Sequence, residues 1–192
     1  MSKYQDGHIY HVYNRGAHQL TIFRKPRHFR KCVGLLLKYS AHYKVSLLAY
    51  CLMPNHYHLI VRQETEGSIS RFLQTTFNSF VQYYNLLESH SGTLFQGPAK
   101  STLVDTDEYL LQVIRYVHAN PVSAKLVKKA SDWEFSDCSL WVGDSEVLFP
   151  GKSIRDEWFK DGKGYREFLE AYEPGTFEPG TFSRDPGSIL DP

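Results

Sequence analysis

Two strand-forming segments joined by a short turn constrain the fold of this chain most. Residues 45–52 and 56–62 are rich in apolar and β-branched side chains, and Pro54-Asn55 lies between them. Proline and asparagine mark a turn, and two such runs on either side of a turn indicate an antiparallel hairpin. The chain is therefore expected to build a β-sheet around this hairpin.

The second arm of the hairpin begins with His56-Tyr57-His58. Residues two apart in a strand point to the same face, so the two imidazoles project side by side. On spacing alone the pair is either a coincidence within a strand or two ligands of one metal ion.

A second group of polar residues lies about sixty positions further along. Tyr116 and Asn120 are four apart in a segment predicted to be helical, and therefore share a helix face. If that helix packs beside His56 and His58, the Asn120 amide oxygen becomes a third metal ligand. The Tyr116 hydroxyl then lies beside the ion, where it could attack a phosphate as a covalent nucleophile.

These residues also have ordinary structural interpretations. Tyr116 could be a packed aromatic side chain. Asn120-Pro121 could form the N-cap and first turn of a separate helix over residues 122–129. His118 is predicted to point away from the Tyr116 face, either towards solvent or as a cap.

The other segments predict the order strand, helix, strand, strand, helix, strand, helix. This order is typical of an α+β fold with a ferredoxin-like split βαβ antiparallel sheet and helices packed on one face. The predicted elements besides the hairpin are a strand at 8–14, a helix at 26–42 opened by Pro26, a helix at 68–87 capped by Ser68, a strand or hairpin arm within 94–104, and a helix from the cap Thr106 to about Pro121.

Three regions are expected along the chain. Residues 1–143 form the domain that carries the site, and residues 144–172 form a C-terminal extension that packs on it, with a short helix at 164–172. Residues 173–192 repeat Glu-Pro-Gly-Thr-Phe and are rich in Pro, Gly and acidic residues. This composition predicts an extended, non-globular tail.

Charge is distributed unevenly although the net charge is only +1. Residues 7–63 contain no Asp or Glu, whereas from residue 131 onwards 14 acidic residues face 6 basic ones. The acid-free segment is either a chance fluctuation around a basic helix or a surface that faces phosphates. The candidate phosphate contacts in this segment are Arg15, Arg24, Lys25, Arg27, Arg30 and Lys31.

The cysteines and the apolar stretches bear on the compartment. The chain has only three cysteines, widely spaced, which fits a reducing cytoplasm and argues against a cysteine-based zinc site. No stretch qualifies as a membrane span, and the N-terminus lacks the apolar core of a signal peptide. We therefore expect a cytoplasmic protein without a membrane partner.

Four segments stand out as ordered motifs: residues 10–16 (YHVYNRG), 49–61 (AYCLMPNHYHLIV), 95–97 (FQG) and 116–124 (YVHANPVSA). Together they resemble the REP-associated tyrosine transposases, a branch of the single-tyrosine HUH endonucleases, and the likeness extends over some 130 residues, from Tyr10 to about Trp141. One departure follows the third segment, where the family commonly has an arginine. Here Pro98 stands at that position, and Lys100 could replace the lost contact.

The resemblance implies a metal-dependent endonuclease and strand transferase that nicks single-stranded, hairpin-forming DNA. It implies that Tyr116 forms a 5′-phosphotyrosine intermediate, and that His56 and His58, helped by Asn120, hold Mg²⁺ or Mn²⁺. Arg115 and Lys100 join the basic residues expected to contact DNA. The protein would act as a monomer or a homodimer.

Two other functions remain open at this point. The first is a catalytically silent module of the same fold that binds hairpin or single-stranded DNA. The second is a metallohydrolase of small substrates. It is the weaker of the two, because a common hydrolase motif needs an aspartate two residues after His58, where this chain has Ile60.

Overall fold

A four-stranded sheet in the order β2-β3-β1-β4 forms the centre of the protein, with every neighbouring pair antiparallel. The computed structural model describes residues 3–144 and 147–179. The strands are β1 (Ile9–Arg15), β2 (Val45–Met53), β3 (His56–Gln63) and β4 (Lys100–Val104). The helices are α1 (Pro26–His42), α2 (Ser68–Glu88), α3 (Asp107–Ser123), α4 (Cys138–Val142), α5 (Lys152–Phe159) and α6 (Gly162–Glu170).

The α+β class, the antiparallel sheet and the β2–β3 hairpin are as predicted. The helices, however, lie on both faces of the sheet instead of one. Tyr57 and Leu59 of β3 pack with α1 and α2 on one face. Ile60 of β3 and Cys51 of β2 pack with α3 on the opposite face. Because successive residues of a strand face opposite ways, the unbroken apolar runs of β2 and β3 are those of strands buried on both faces.

The ends of two helices differ from the sequence-based expectation. Gly67, with φ of 70°, is the N-cap of α2, and Ser68 is the first helical residue. The helix α3 begins after Thr106 as predicted, since the Thr106 hydroxyl accepts a hydrogen bond from the Tyr109 amide at 3.2 Å. It continues through Pro121 to Ser123, so the alternative in which Asn120-Pro121 opens a new helix is wrong.

Tertiary packing explains why α3 does not stop at Pro121. The proline ring is buried, and its missing N–H removes one bond of the helix only. The Ala124 amide still donates to the Asn120 carbonyl at 2.9 Å, which closes the last turn. As a result Asn120 stays in register with Tyr116 on the same helix.

The segment after α3 is folded back onto that helix. The helix α6 lies two residues earlier than the predicted 164–172, and α5 had no counterpart among the predicted elements. Trp141 of α4 is fully buried against α3 and β2. The segment that contains α4 and α6 therefore packs against the helix that carries Tyr116.

His118 corrects another expectation, because it is buried instead of facing solvent or capping the helix. Its Nε2 donates to the Asp137 carboxylate at 3.0 Å, and its Nδ1 accepts from the Tyr165 hydroxyl at 2.6 Å. Asp137 also accepts from the Trp141 indole at 3.1 Å. This network joins α3 to α4 and α6, and a partner for His118 from so distant a segment cannot be deduced from local spacing.

Replacing His118 with Phe should destabilise the protein by about 2–4 kcal/mol, because the buried Asp137 and Tyr165 groups each lose a hydrogen-bond partner. Urea unfolding measures the effect, with the exposed His42→Phe as the matched control. An equal stability of the two variants would contradict the structural role of the network.

Part of the predicted tail lies against the domain. Phe177, in the first copy of the repeat, lies 6.0 Å from Tyr109 and 6.1 Å from Tyr116 between ring centroids. Residues 180–192, which complete the tail expected to be extended, lie outside the described residues. Within the described ranges, no helix combines the length and apolarity needed to cross a membrane.

Candidate active site

Tyr116, His56 and His58 come together on the α3 face of the sheet. Both imidazoles project from β3, with ring centroids 5.0 Å apart and planes at 83°. The Tyr116 ring lies 5.4 Å from the His58 ring, also edge to face. The hairpin fixes the two histidines and the packing of α3 fixes the tyrosine, so residues sixty positions apart share one site.

Hydrogen bonds at Nδ1 orient both imidazoles. The Nδ1 of His56 lies 2.7 Å from the Asn55 side-chain oxygen, and the Nδ1 of His58 lies 2.9 Å from the Nε2 of His11. In a neutral imidazole that donates from Nδ1, the lone pair for a metal is on Nε2. The carboxamide oxygen of Asn55 can only accept, so the His56 ring offers Nε2 as a ligand atom. The His58 ring does so when it is the donor in its hydrogen bond with His11.

Asn120 links α3 to the histidines. Its amide nitrogen donates to the Tyr116 main-chain carbonyl at 2.7 Å. The same side chain also interacts with the His56 ring and with the Tyr116 phenol. With the amide nitrogen engaged on α3, the amide oxygen is the donor atom that Asn120 can offer to a cation.

The donor set can be compared with the needs of a divalent ion. Over residues 3–144 and 147–179, no three or more His, Cys, Asp or Glu side chains are grouped so as to hold a metal. The candidate set is two imidazole nitrogens and one amide oxygen, which are ligand types that divalent metal ions accept, and it leaves further coordination positions open. The residue types therefore fit a divalent ion without selecting which one.

Burial controls the protonation of the imidazoles. It lowers the pKa of His11 to about 4, and it holds the pKa of His58 well below the usual range, helped by the nearby His11 and His56. The pKa of His56 is also lowered by burial, against a smaller opposing effect of the Asn120 hydrogen bond. Neutral rings at physiological pH are the form that binds metals.

The Tyr116 phenol is difficult to ionise in the metal-free protein. Burial raises its pKa above the ordinary value, and the carboxylate of Glu178 and the neighbouring Tyr13 raise it further, while Asn120 partly opposes them. A phenol in this setting is protonated at neutral pH. An added positive charge beside it would shift the balance towards phenolate.

Tyr116, His56 and His58 line a cavity of about 490 Å³. Besides Tyr116 and the two histidines, its wall includes Tyr13, Arg15 and Lys100. A second cavity of about 600 Å³ shares Arg15, Gln19 and Gln96 with the first. The two cavities are therefore neighbours, with these three side chains between them.

The loop of residues 95–98, just before β4, lines both cavities. Arg15 is hydrogen-bonded through its side chain to that of Gln96, and its carbonyl accepts from the Gln96 amide at 2.9 Å. Asn14 donates to the carbonyl of Gly97, whose φ of 112° favours glycine. The end of β1 and residues 95–97, two of the motifs singled out in the sequence, thus form one wall.

The basic residues predicted to bind DNA divide into separate groups. Arg15 and Lys100 are exposed at the cavity. Lys25 and Arg27 form ion pairs with Glu88, and Arg30 pairs with Glu134 at 2.9 Å. The basic cluster at the start of α1 is thus partly neutralised by the protein's own carboxylates.

The remaining three predicted DNA contacts, Arg24, Lys31 and Arg115, lie in different surroundings. Arg24 is exposed just before α1, and Lys31 lies 5.2 Å from the Tyr83 ring. Arg115 is half-buried, with its guanidinium 4.3 Å from the centroid of the Phe168 ring on α6. Arg115 is therefore not brought together with Arg15 and Lys100 at the cavity.

His11 and Tyr13 were not selected as site residues from the sequence. The His11 ring lies 5.1 Å from His58, and the Tyr13 ring lies 6.0 Å from His58. The available signal was the alternation of β1, which places both on one face. The pairing of β1 with β3 is what places His11 beside His58.

Two solved structures are similar to this chain. A solved structure of a REP-associated tyrosine transposase bound to a REP hairpin has the same fold, with a TM-score of 0.60 and 16% identity over 74% of this chain and 83% of that chain. A putative transposase from Deinococcus radiodurans gives a TM-score of 0.45 and 15% identity over 61% of this chain and 93% of that chain. No curated protein matches the chain.

The family comparison is decisive, because it covers more than half of the chain. The model of the family described as IS200-like transposases matches residues 4–120, a range that holds the hairpin histidines, Tyr116 and Asn120. The resemblance inferred from the sequence motifs is therefore confirmed: the chain belongs to the IS200-like transposase family and has a transposase-like role in DNA processing.

Proposed function

We propose that the protein is a metal-dependent endonuclease and strand transferase for single-stranded, hairpin-forming DNA, acting through Tyr116. The observation that carries the proposal is the convergence of the Tyr116 ring with His58, 5.4 Å away, beside His56. A packed aromatic alone would not need a cavity that also contains Arg15 and Lys100. Hairpin DNA is proposed as substrate because the solved relative of the same fold is bound to a REP hairpin.

The chemical step is a transesterification at phosphorus. The Tyr116 oxygen loses its proton and forms a bond to the phosphorus, while the bond from phosphorus to the 3′ oxygen breaks. The leaving oxygen takes a proton and becomes a free 3′-OH, and the 5′ end stays on the protein as a phosphotyrosine. A second 3′-OH can reverse this step and join strands, because the covalent link keeps the energy of the phosphodiester.

Each residue of the site has a separate role in this reaction. His56, His58 and the Asn120 oxygen would hold Mg²⁺ or Mn²⁺. When bound, this ion supplies Lewis-acid activation of the phosphate and lowers the pKa of the adjacent phenol. The hydrogen bond to the Tyr116 main-chain carbonyl holds the Asn120 side chain in place, where it also interacts with the Tyr116 phenol and the His56 ring.

A denaturing gel with 5′- and 3′-labelled single-stranded hairpin DNA tests the proposal. In the presence of Mn²⁺, a protein band should carry the 3′ label of the downstream fragment, and a chelator added before the DNA should prevent that band from forming. Binding to the hairpin in native gels without any covalent product would instead favour the silent DNA-binding module. That alternative is compatible with the raised pKa of Tyr116 in the metal-free protein.

Arg15 and Lys100 are proposed as phosphate contacts, since both are exposed where the cavity opens. Changing either residue to Ala should weaken DNA binding at low salt and reduce the slope of log affinity against log salt by about 1. The exposed Lys38→Ala on α1 is the control. If the slope does not change in the Arg15 and Lys100 variants, those contacts do not exist.

A further inference from the structure

The His11 side chain contacts His58, one of the proposed metal ligands, but is not itself one of those ligands. It lies on β1 directly opposite Ile60, while His58 on β3 is opposite Tyr13, so the two histidines are diagonal neighbours on one face of the sheet. Their rings are nearly parallel, at 21°, and the Nε2 of His11 lies 2.9 Å from the Nδ1 of His58. Both side chains are buried, with 1% and 6% exposure.

Only one proton can occupy the bond between the two imidazoles, and its position decides what His58 can do. If His11 donates, the remaining proton of neutral His58 is on Nε2, and that nitrogen has no lone pair for a cation. If His58 donates from Nδ1, its Nε2 lone pair is free for a cation and the Nε2 of His11 acts as acceptor. The proposed metal site needs the second arrangement.

The second arrangement places the proton of neutral His11 on Nδ1. This atom is buried and has no hydrogen-bond partner among the residues that the structure describes. An isolated imidazole in a core would not be expected to bury an unpartnered nitrogen. The Nδ1 of His11 has no partner in either arrangement, so a cation at the His58 Nε2, and not the surroundings of His11, would select the second one.

A neutral acceptor also suits this particular site. Metal-binding histidines commonly donate their second N–H to a carboxylate or a carbonyl, which fixes the ring and its tautomer. A carboxylate at the position of His11 would add negative charge beside a cavity that has to admit a phosphodiester. An imidazole accepts the same hydrogen bond without that repulsion.

We propose that His11 is a positioning residue for His58: its Nε2 accepts the Nδ1 proton of His58 and so directs the His58 Nε2 towards the cation. This inference rests on the proposed function. It predicts that the hydrogen-bond acceptor matters at position 11, and that the aromatic ring does not.

Two variants distinguish a need for a hydrogen-bond acceptor at position 11 from a need for an aromatic ring there. His11→Phe keeps a ring but removes the acceptor, and should weaken Mn²⁺ binding by about 10–100-fold. His11→Gln places an amide oxygen where Nε2 was and should retain most of the affinity. Mn²⁺ affinity is measured by calorimetry on the DNA-free protein, so that the readout does not depend on cleavage. If ring packing alone mattered, His11→Phe would bind normally and His11→Gln would bind weakly, which would overturn the proposal.

A measurement on the unmodified protein covers the case in which a variant fails to fold. With ¹⁵N-labelled histidine and saturating Mg²⁺, NMR should detect a nitrogen–nitrogen coupling between His58 and His11, with the proton attached to the Nδ1 of His58. A proton on the His11 Nε2, or no coupling, would overturn the proposal. If the unmodified protein binds neither ion, the metal site and this inference both fail, whereas normal Mn²⁺ binding by His11→Phe removes the role of His11 alone.

Discussion

Tyr116→Phe is expected to abolish covalent attachment of the protein to DNA, reducing the adduct at least about 1,000-fold. The variant lacks only the oxygen that would bond to phosphorus, and keeps the ring that packs against His58. Affinity for the hairpin should therefore remain close to that of the unmodified protein. Labelled DNA on denaturing gels measures the adduct, and native gels measure binding.

Tyr13→Phe is the matched control for this experiment. Tyr13 lines the same cavity and lies 6.0 Å from His58, so it is the second phenol near the proposed ligands. The Tyr13→Phe variant should retain the adduct, because the oxygen proposed to attack belongs to Tyr116 on α3, whereas Tyr13 lies on β1. If Tyr13→Phe removes the adduct and Tyr116→Phe keeps it, the nucleophile has been assigned to the wrong residue.

Removing either histidine of the hairpin is expected to have the second-largest effect. His56→Ala and His58→Ala should each weaken Mn²⁺ binding more than about 100-fold, a larger loss than the change of an outer-shell partner causes. Both should eliminate the metal-dependent adduct, because the raised pKa of Tyr116 leaves the phenol protonated without a nearby cation. Calorimetry with Mn²⁺ and the denaturing gel give the two readouts.

The exposed His42 at the end of α1 provides the control for these variants, since it is an imidazole far from the cavity wall. His42→Ala should bind Mn²⁺ and form the adduct normally. Adduct formation by His56→Ala and His58→Ala at the normal rate would contradict a metal-assisted step, even if Tyr116 proved to be the nucleophile.

Local patterns were sufficient to predict much of the fold. Pro26 at a first helical position and the turn at Pro54-Asn55 fix α1 and the hairpin almost to the residue. The four-residue spacing of Tyr116 and Asn120 places both on one face of α3, as expected. These features depend on neighbouring residues only, and for that reason the sequence reveals them.

The errors arose where distant segments decide the outcome. Pro121 was expected to end α3, but burial of its ring keeps it inside the helix. His118 was expected at the surface or as a cap, because its partners, Asp137 and Tyr165, come from segments that follow α3 in the chain. His11 was not selected because its contact with His58 depends on strand register.

The central claim is that Tyr116 and the paired imidazoles act on a single phosphorus atom, and peptide mass spectrometry of the covalent adduct tests it most directly. After reaction with hairpin DNA and Mn²⁺, nuclease and trypsin digestion should leave a nucleotide phosphate on the peptide of residues 116–125, whose one tyrosine is Tyr116. Recovery of the phosphate on any other residue, or an adduct that forms equally well with His56 and His58 both replaced by alanine, would contradict the claim.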